Sequence, residues 1–164
     1  MTHPYDYSIR PAMRPDLKTI HRLIRKNRLN FLGLEWRRFY VAVDSREGVI
    51  GCGQIKVHSD GSRELASLVV EENWQGRGVA RELIRHLIQS QKEELWLMCR
   101  SALVPFYEKF GFFEITEPLD MPPYFRRIKR LWLIVVKVIR RQQRLSVMLR
   151  QNVATRFHDG TQDM

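Results

Sequence analysis

Gln75-Gly76-Arg77-Gly78-Val79-Ala80 stands between an apolar, strand-like run, Leu65 to Val70, and a helical pattern that begins at once. Such a junction suits an anion. Glycines let the backbone approach a ligand closely, and the first N–H groups of a helix have no partner within it, so they can point at phosphate oxygens. The lysine-bearing pattern of a P-loop is absent and the spacing does not fit a GxGxxG dinucleotide fingerprint, so the turn by itself specifies no one ligand. Cys52 and Cys99 lie in apolar strand-like runs with no CxxC and no His or Cys at metal spacing, which reads as buried free thiols and gives no metal site. His3, His21, His58 and His86 fall on exposed faces or turns and His158 in the tail, and none stands out as a catalyst.

The elements that position this turn follow from the apolar spacing. Tyr7 to Pro11 reads as a short strand, and Asp16 then caps a helix carrying Leu17, Ile20, Leu23 and Ile24 on one face. Arg28 to Arg38 is either a second short helix packed on the core or a substrate-facing loop. Phe39 to Val43, Val49 to Val57 and Arg63 to Val70 form a three-strand meander ending at the glycine turn, after which Val79, Ala80, Leu83, Ile84, Leu87 and Ile88 line one face of a helix. Leu95 to Cys99 is a buried strand, and a right-handed connection sets it parallel to the strand ending at Val70. A short helix over Val104 to Phe110, a strand over Phe112 to Ile115 and a proline-rich loop over Thr116 to Pro123 come next. The β-branched run Leu131 to Ile139 is expected to be the last strand, Arg140 to Gln151 a basic amphipathic helix, and the remainder a loose tail.

Composition supports one domain with a true core: 164 residues, 44% hydrophobic and 28% charged. No apolar run is long enough for a membrane span and MTHPYDYSIRP lacks the features of a signal peptide, so a cytoplasmic protein is expected. The net charge of +10 is concentrated at the C-terminal end, where Tyr124 to Met164 carries ten Lys and Arg against Asp159 and Asp163. That region can attract nucleic acid, an anionic membrane or an acidic substrate, or mediate a homodimer contact, while the body of the chain is near neutral.

A strand ending in LVV, QGRGVA opening a helix, a second strand and then FYEKFGF together resemble the GNAT superfamily of acyl-CoA-dependent N-acetyltransferases. The Gln/Arg-x-x-Gly-x-Gly/Ala signature is matched by Gln75 to Ala80, the late FY-x-x-x-GF element by Phe106-Tyr107 through Gly111-Phe112, and the element order fits from Tyr7 to Ile139, about four fifths of the chain. The resemblance implies an α/β (α+β) fold: a mixed, mostly antiparallel sheet of six to seven strands with strands 4 and 5 parallel and splayed, flanked by about four helices. It implies an acetyltransferase domain over residues 1–139 and a basic C-terminal extension over 140–164. It implies acetyl-CoA as co-substrate, with the amides of Gln75, Gly76, Arg77, Gly78, Val79 and Ala80 on the pyrophosphate, Arg77 and Arg81 adding charge, and Leu68, Val69 and Val70 pairing with the pantetheine arm. Tyr107 matches the tyrosine that protonates the departing thiolate, and Glu64, eleven residues before Gln75, matches a strand glutamate that serves as general base. A glutamate at the exposed start of a strand is the other reading of Glu64. Where many members carry a cofactor-contacting asparagine seven residues before the tyrosine, this chain has Arg100, and Ser101 beside it is expected among the cofactor-binding residues. The acceptor, expected to be a small-molecule amine, would lie by Asn27 to Arg38 and Thr116 to Arg130. The second of these segments offers either a carboxylate-binding pair of Arg and aromatic residues or a solvated basic flank. A peptide or protein N-acetyltransferase, and a non-catalytic acyl-CoA sensor with a docking tail, are the alternatives.

Overall fold

The computed structural model describes residues 7–30, 32–139 and 144–151, with the backbone alone over 134–139. His3, Phe31, His158 and the tail lie outside the described residues. Two compact units are present, one made of Met1–Lys56 with Leu65–Ser90, the other of Val57–Glu64 with Gln91–Met164. The strands form a seven-stranded sheet in the order β1-β2-β3-β4-β5-β7-β6.

In the first unit, β1 (Tyr7–Pro11), β2 (Phe39–Asp44) and β3 (Gly48–Val57) pair antiparallel, and β4 (Arg63–Val70) follows beside β3. Alternation along β2 sends Val41 to one face and Ala42 to the other. On the first face lies α1 (Leu17–Lys26), whose Ile20, Leu23 and Ile24 are fully buried with Phe39, Cys52 and Val69. Each of these side chains contributes about 1.5–3 kcal/mol of burial. On the other lies α2 (Val79–Gln89), whose Val79 and Leu83 join Ala42, Ile50, Val70 and Trp74. Gly53 of β3 permits this close docking: a Cβ there would stand 2.9 Å from Leu87 Cδ1 and 3.2 Å from Leu68 Cδ1. The described residues between Arg28 and Arg38 form no α-helix. They build turns around Gly33 at φ +70°, closing in a 3₁₀ turn at Trp36–Arg38.

In the second unit, β5 (Leu95–Arg100) and β6 (Phe113–Ile115) each pair antiparallel with β7 (Leu145–Arg150), and α3 (Val104–Glu108) connects towards β6. The parallel register of β4 with β5 places Glu64 opposite Trp96. Two expectations are overturned here. Leu131 to Ile139 is the second half of a long helix, α4 (Pro123–Ile139), and the last strand is β7, inside the span expected to be a helical extension. The helix penalty of β-branched residues is only a few tenths of a kcal/mol each. The helix starts on Pro123, with the Tyr124 amide fixed by Asp60 Oδ2 at 2.8 Å and Phe125 buried in a cluster with Trp96, Met121, Val147 and Leu149. Once begun, it propagates. In β7, Ser146, Val147, Met148 and Leu149 are all buried because the strand has a neighbour on each side. The arginines that suggested a basic helix only bracket it: Arg144 pairs with Glu114 at 3.4 Å and Arg150 Nε donates to the Phe110 carbonyl.

Candidate functional site

The glycine turn is anchored before it opens. Trp74 is buried, donates Nε1–H to Glu47 Oε2 at 2.8 Å and meets the Tyr7 ring edge-on, while the Arg77 guanidinium lies 5.0 Å from the Trp74 ring centroid. Gln75 Nε2 donates back to the Val70 carbonyl at 3.2 Å, so the end of β4 and the start of the turn are tied together. Gly76 and Gly78 then adopt φ +76° and +84°, in the left-handed region that glycine occupies without strain. A Cβ on Gly76 would meet nothing within 4 Å. The first ladder bond of α2 runs from the Glu82 amide to the Gly78 carbonyl, so the amides of Val79, Ala80 and Arg81 precede the ladder at the positive end of the helix dipole. Gln75, Gly76, Arg77 and Arg81 are exposed. An open glycine cradle at a helix N-terminus fits a diphosphate.

Leading into the turn, Val69 and Val70 bury their side chains in the two opposite clusters, and Leu68 is partly buried. Ser67 interrupts β4 with φ +55°, a conformation costly for a residue with a Cβ. Its hydroxyl accepts from Gln54 Nε2 at 2.9 Å, and Gln54, fully buried, keeps Oε1 without a partner among the described residues. Nothing in the residue pattern marks Ser67 or Gln54, because serine is no signal for a left-handed backbone within a strand.

In the second unit Tyr107 is 8% exposed, edge-on to Phe106 and Phe112. Burial, with Cys99 adding to it, pushes its phenol well above the ordinary tyrosine range, so the hydroxyl stays protonated and able to donate. Burial also pushes the Cys52 thiol up to about 12 and, with Glu114 adding to it, the Cys99 thiol up to about 11, which suits neither as a nucleophile. Glu64 is buried rather than at an exposed strand start, and its Oε2 lies 2.8 Å from His58 Nε2. His58, expected on an exposed turn, is enclosed: its ring stacks on Tyr124 with centroids 3.4 Å apart and planes at 15°, and meets Phe125 edge-on. Spacing could not have revealed this, since the stacking partner is far along the chain.

Ser101 spends its hydroxyl on Ser146 Oγ and the Arg144 carbonyl at 2.8 and 3.0 Å, and Arg100 is exposed. In the basic segment, Arg126 donates to the carbonyls of Pro118, Leu119 and Met121, and Lys129 to that of Thr116. These two cations brace their own loop instead of standing free for a carboxylate. Among the described residues no group of three His, Cys, Asp or Glu could hold a metal, and no helix is long and apolar enough to cross a membrane.

Residues 35–114 match the family described as the acetyltransferase (GNAT) domain. Solved structures share the fold at low identity. An N-acetylglutamate synthase from Neisseria gonorrhoeae, complexed with coenzyme A and N-acetyl-glutamate, superposes with TM-score 0.67 at 19% identity, over 89% of this chain and 35% of that one. A GNAT-family acetyltransferase from Staphylococcus aureus Mu50 gives 0.61 at 15% identity, over 88% of this chain and 98% of that one. The ribosomal-protein-S18-alanine N-acetyltransferase from Escherichia coli gives 0.60 at 17%, over 89% and 94%. The chain thus spans about a third of the length of the N-acetylglutamate synthase it matches.

Proposed function

We propose, from the match of residues 35–114 to the acetyltransferase (GNAT) domain family, that this chain moves an acetyl group from acetyl-CoA to a primary amine of a small molecule, by direct attack of the amine on the thioester. The observation that carries the reading is the pair of left-handed glycines, Gly76 and Gly78, at the mouth of α2, with open space where a Cβ on Gly76 would stand. In this reading the amides from Gln75 to Ala80 hold the pyrophosphate, with Arg77 and Arg81 supplying charge at the rim. The backbone of Leu68, Val69 and Val70 pairs with the pantetheine arm as an added strand. Ser101, with its hydroxyl already bonded, keeps at most a lesser contact.

Acetyl transfer needs a neutral amine, a place for the tetrahedral oxyanion and a proton for the leaving thiolate. Glu64, buried on β4, belongs to the machinery that takes the proton from the amine. As the carbon–sulfur bond breaks, Tyr107 gives its phenolic proton to the sulfur, a role its raised pKa supports by keeping the proton on at neutral pH. Direct attack is preferred to a covalent intermediate because both thiols are buried and held protonated. The closure of Pro118 to Lys129 on its own carbonyls and its own aromatic cluster favours a compact acceptor over an extended peptide.

A panel of amino acids, polyamines, aminoglycosides and peptides, read by release of free thiol from acetyl-CoA, tests this. A small amine should give turnover, and Tyr107→Phe should lower kcat by about 10²-fold or more with binding of acetyl-CoA intact. Unchanged turnover in that variant rejects Tyr107 as the acid, and silence across the panel rejects small-amine transfer.

A further inference from the structure

The turn between β3 and β4 is built to hold one imidazole. The His58 amide donates to the Ser62 carbonyl and the Gly61 amide to the His58 carbonyl, closing the hairpin. Asp60 Oδ1 accepts from the Ser62 amide and hydroxyl, at 3.0 and 2.6 Å, and Asp60 Oδ2 accepts from the Tyr124 amide, which fastens the first turn of α4 to the hairpin tip. Between these supports the His58 ring is packed flat against Tyr124, with Phe125 at its edge and Glu64 at Nε2, and its side chain is 10% exposed.

This packing determines which nitrogen carries the proton. A carboxylate only accepts hydrogen bonds, so a neutral His58 facing Glu64 must bear its proton on Nε2 and donate it. The one accepting lone pair of the ring is therefore on Nδ1, which takes no hydrogen bond among the described residues. The groups facing the ring are Glu64 from β4, Asp60 from the turn and Tyr124 from α4. Two of these, Glu64 and Asp60, are carboxylates. Tyr124 stays a neutral phenol, its pKa raised by burial and then by Glu64 and Asp60.

We propose that His58, held by Glu64 in the Nε2–H tautomer, is the proton acceptor for the incoming amine. Resting on the acetyl-transfer reading above, the inference moves the base from Glu64 to its partner and leaves Glu64 to orient the ring and stabilise the imidazolium. In the step itself an N–H bond of the acceptor ammonium breaks and its electron pair stays on the amine nitrogen. The proton bonds to Nδ1, and the Nε2–H remains on Glu64. After transfer the imidazolium returns its proton to water.

The test uses the full chain, wild type and His58→Gln and Glu64→Gln variants, with three readouts: acetyl-CoA affinity by calorimetry, kcat and KM against pH, and long-range ¹H–¹⁵N spectra of the imidazole in wild type and Glu64→Gln. Three results are expected. The neutral His58 is the Nε2–H tautomer. His58→Gln binds acetyl-CoA within about twofold of wild type yet loses about 10²-fold or more in kcat, its residual rate climbing with pH without a plateau. Glu64→Gln also lowers kcat and abolishes the single tautomer. An Nδ1–H tautomer in wild type overturns the proposal even if the variants fail to fold, and so does a folded His58→Gln protein with kcat within about threefold of wild type. Failure of wild type to bind acetyl-CoA defeats the underlying reading instead, and is distinguishable because binding is measured separately from turnover.

Discussion

Gly76 separates the energetics of the turn from those of its ligand. At φ +76° any other residue carries strain of about 1–2 kcal/mol, yet a Cβ there meets no protein atom within 4 Å, so strain is the whole cost to the free protein. Gly76→Ala, Gly76→Gln and Gly76→Glu should therefore share one loss of stability, lowering Tm by about 2–4 °C for each kcal/mol in a chain of this size. Binding should divide them. A glutamate carboxylate about 5 Å from a phosphate charge repels it by about 0.8–3 kcal/mol, for an effective dielectric between about 80 and 20. Against a diphosphate this is at least about tenfold in Kd, while the neutral glutamine of matched size lacks it. Calorimetric titration with coenzyme A at low and high salt reads the difference, which should shrink as salt rises. Equal affinities for the Gln and Glu variants, with equal Tm losses, would refute the placement of the pyrophosphate at this turn.

Gly53→Ala should cost about 1–3 kcal/mol in urea unfolding with an unchanged m value, because the new methyl group meets Leu87 at 2.9 Å and Leu68 at 3.2 Å across the α2 interface. Asp16 accepts from Arg10 Nη1 and the Met13 amide, each at 2.7 Å, and the hydrogen bond from Arg10, followed by that from Met13 acting against the upward pull of burial, holds its carboxyl below the usual range. That stabilisation is fully present above the unfolded carboxyl pKa of about 3.9 and is lost as pH falls through the lower folded value. Asp16→Asn should accordingly be less stable at neutral pH, with a flatter decline in urea midpoint below about pH 4 than wild type.

The half of the chain around the glycine turn was legible because its signals are local. Apolar and β-branched runs between turn residues marked β2, β3 and β4, apolar spacing marked α1 and α2, and two glycines at the mouth of α2 marked the turn that both occupy with positive φ. Where tertiary context decides, the residue pattern misled. A β-branched run was expected to be a strand over Leu131 to Ile139, but a start fixed by Pro123, Asp60 and a buried Phe125 carries it as helix, and the strand falls at Leu145 to Arg150. His58 looked like an exposed turn residue because the ring that covers it, Tyr124, arrives from α4. Ser67 left no trace, since serine carries no signal for the left-handed backbone it adopts at φ +55°.

The most direct test of the central claim is the set of backbone ¹H–¹⁵N shifts on addition of coenzyme A. The amides of Gly76, Arg77, Gly78, Val79, Ala80 and Arg81 should move most, ahead of those within the α2 ladder from Glu82 onward. Saturable binding that leaves these amides unmoved, with its largest shifts elsewhere, would contradict it.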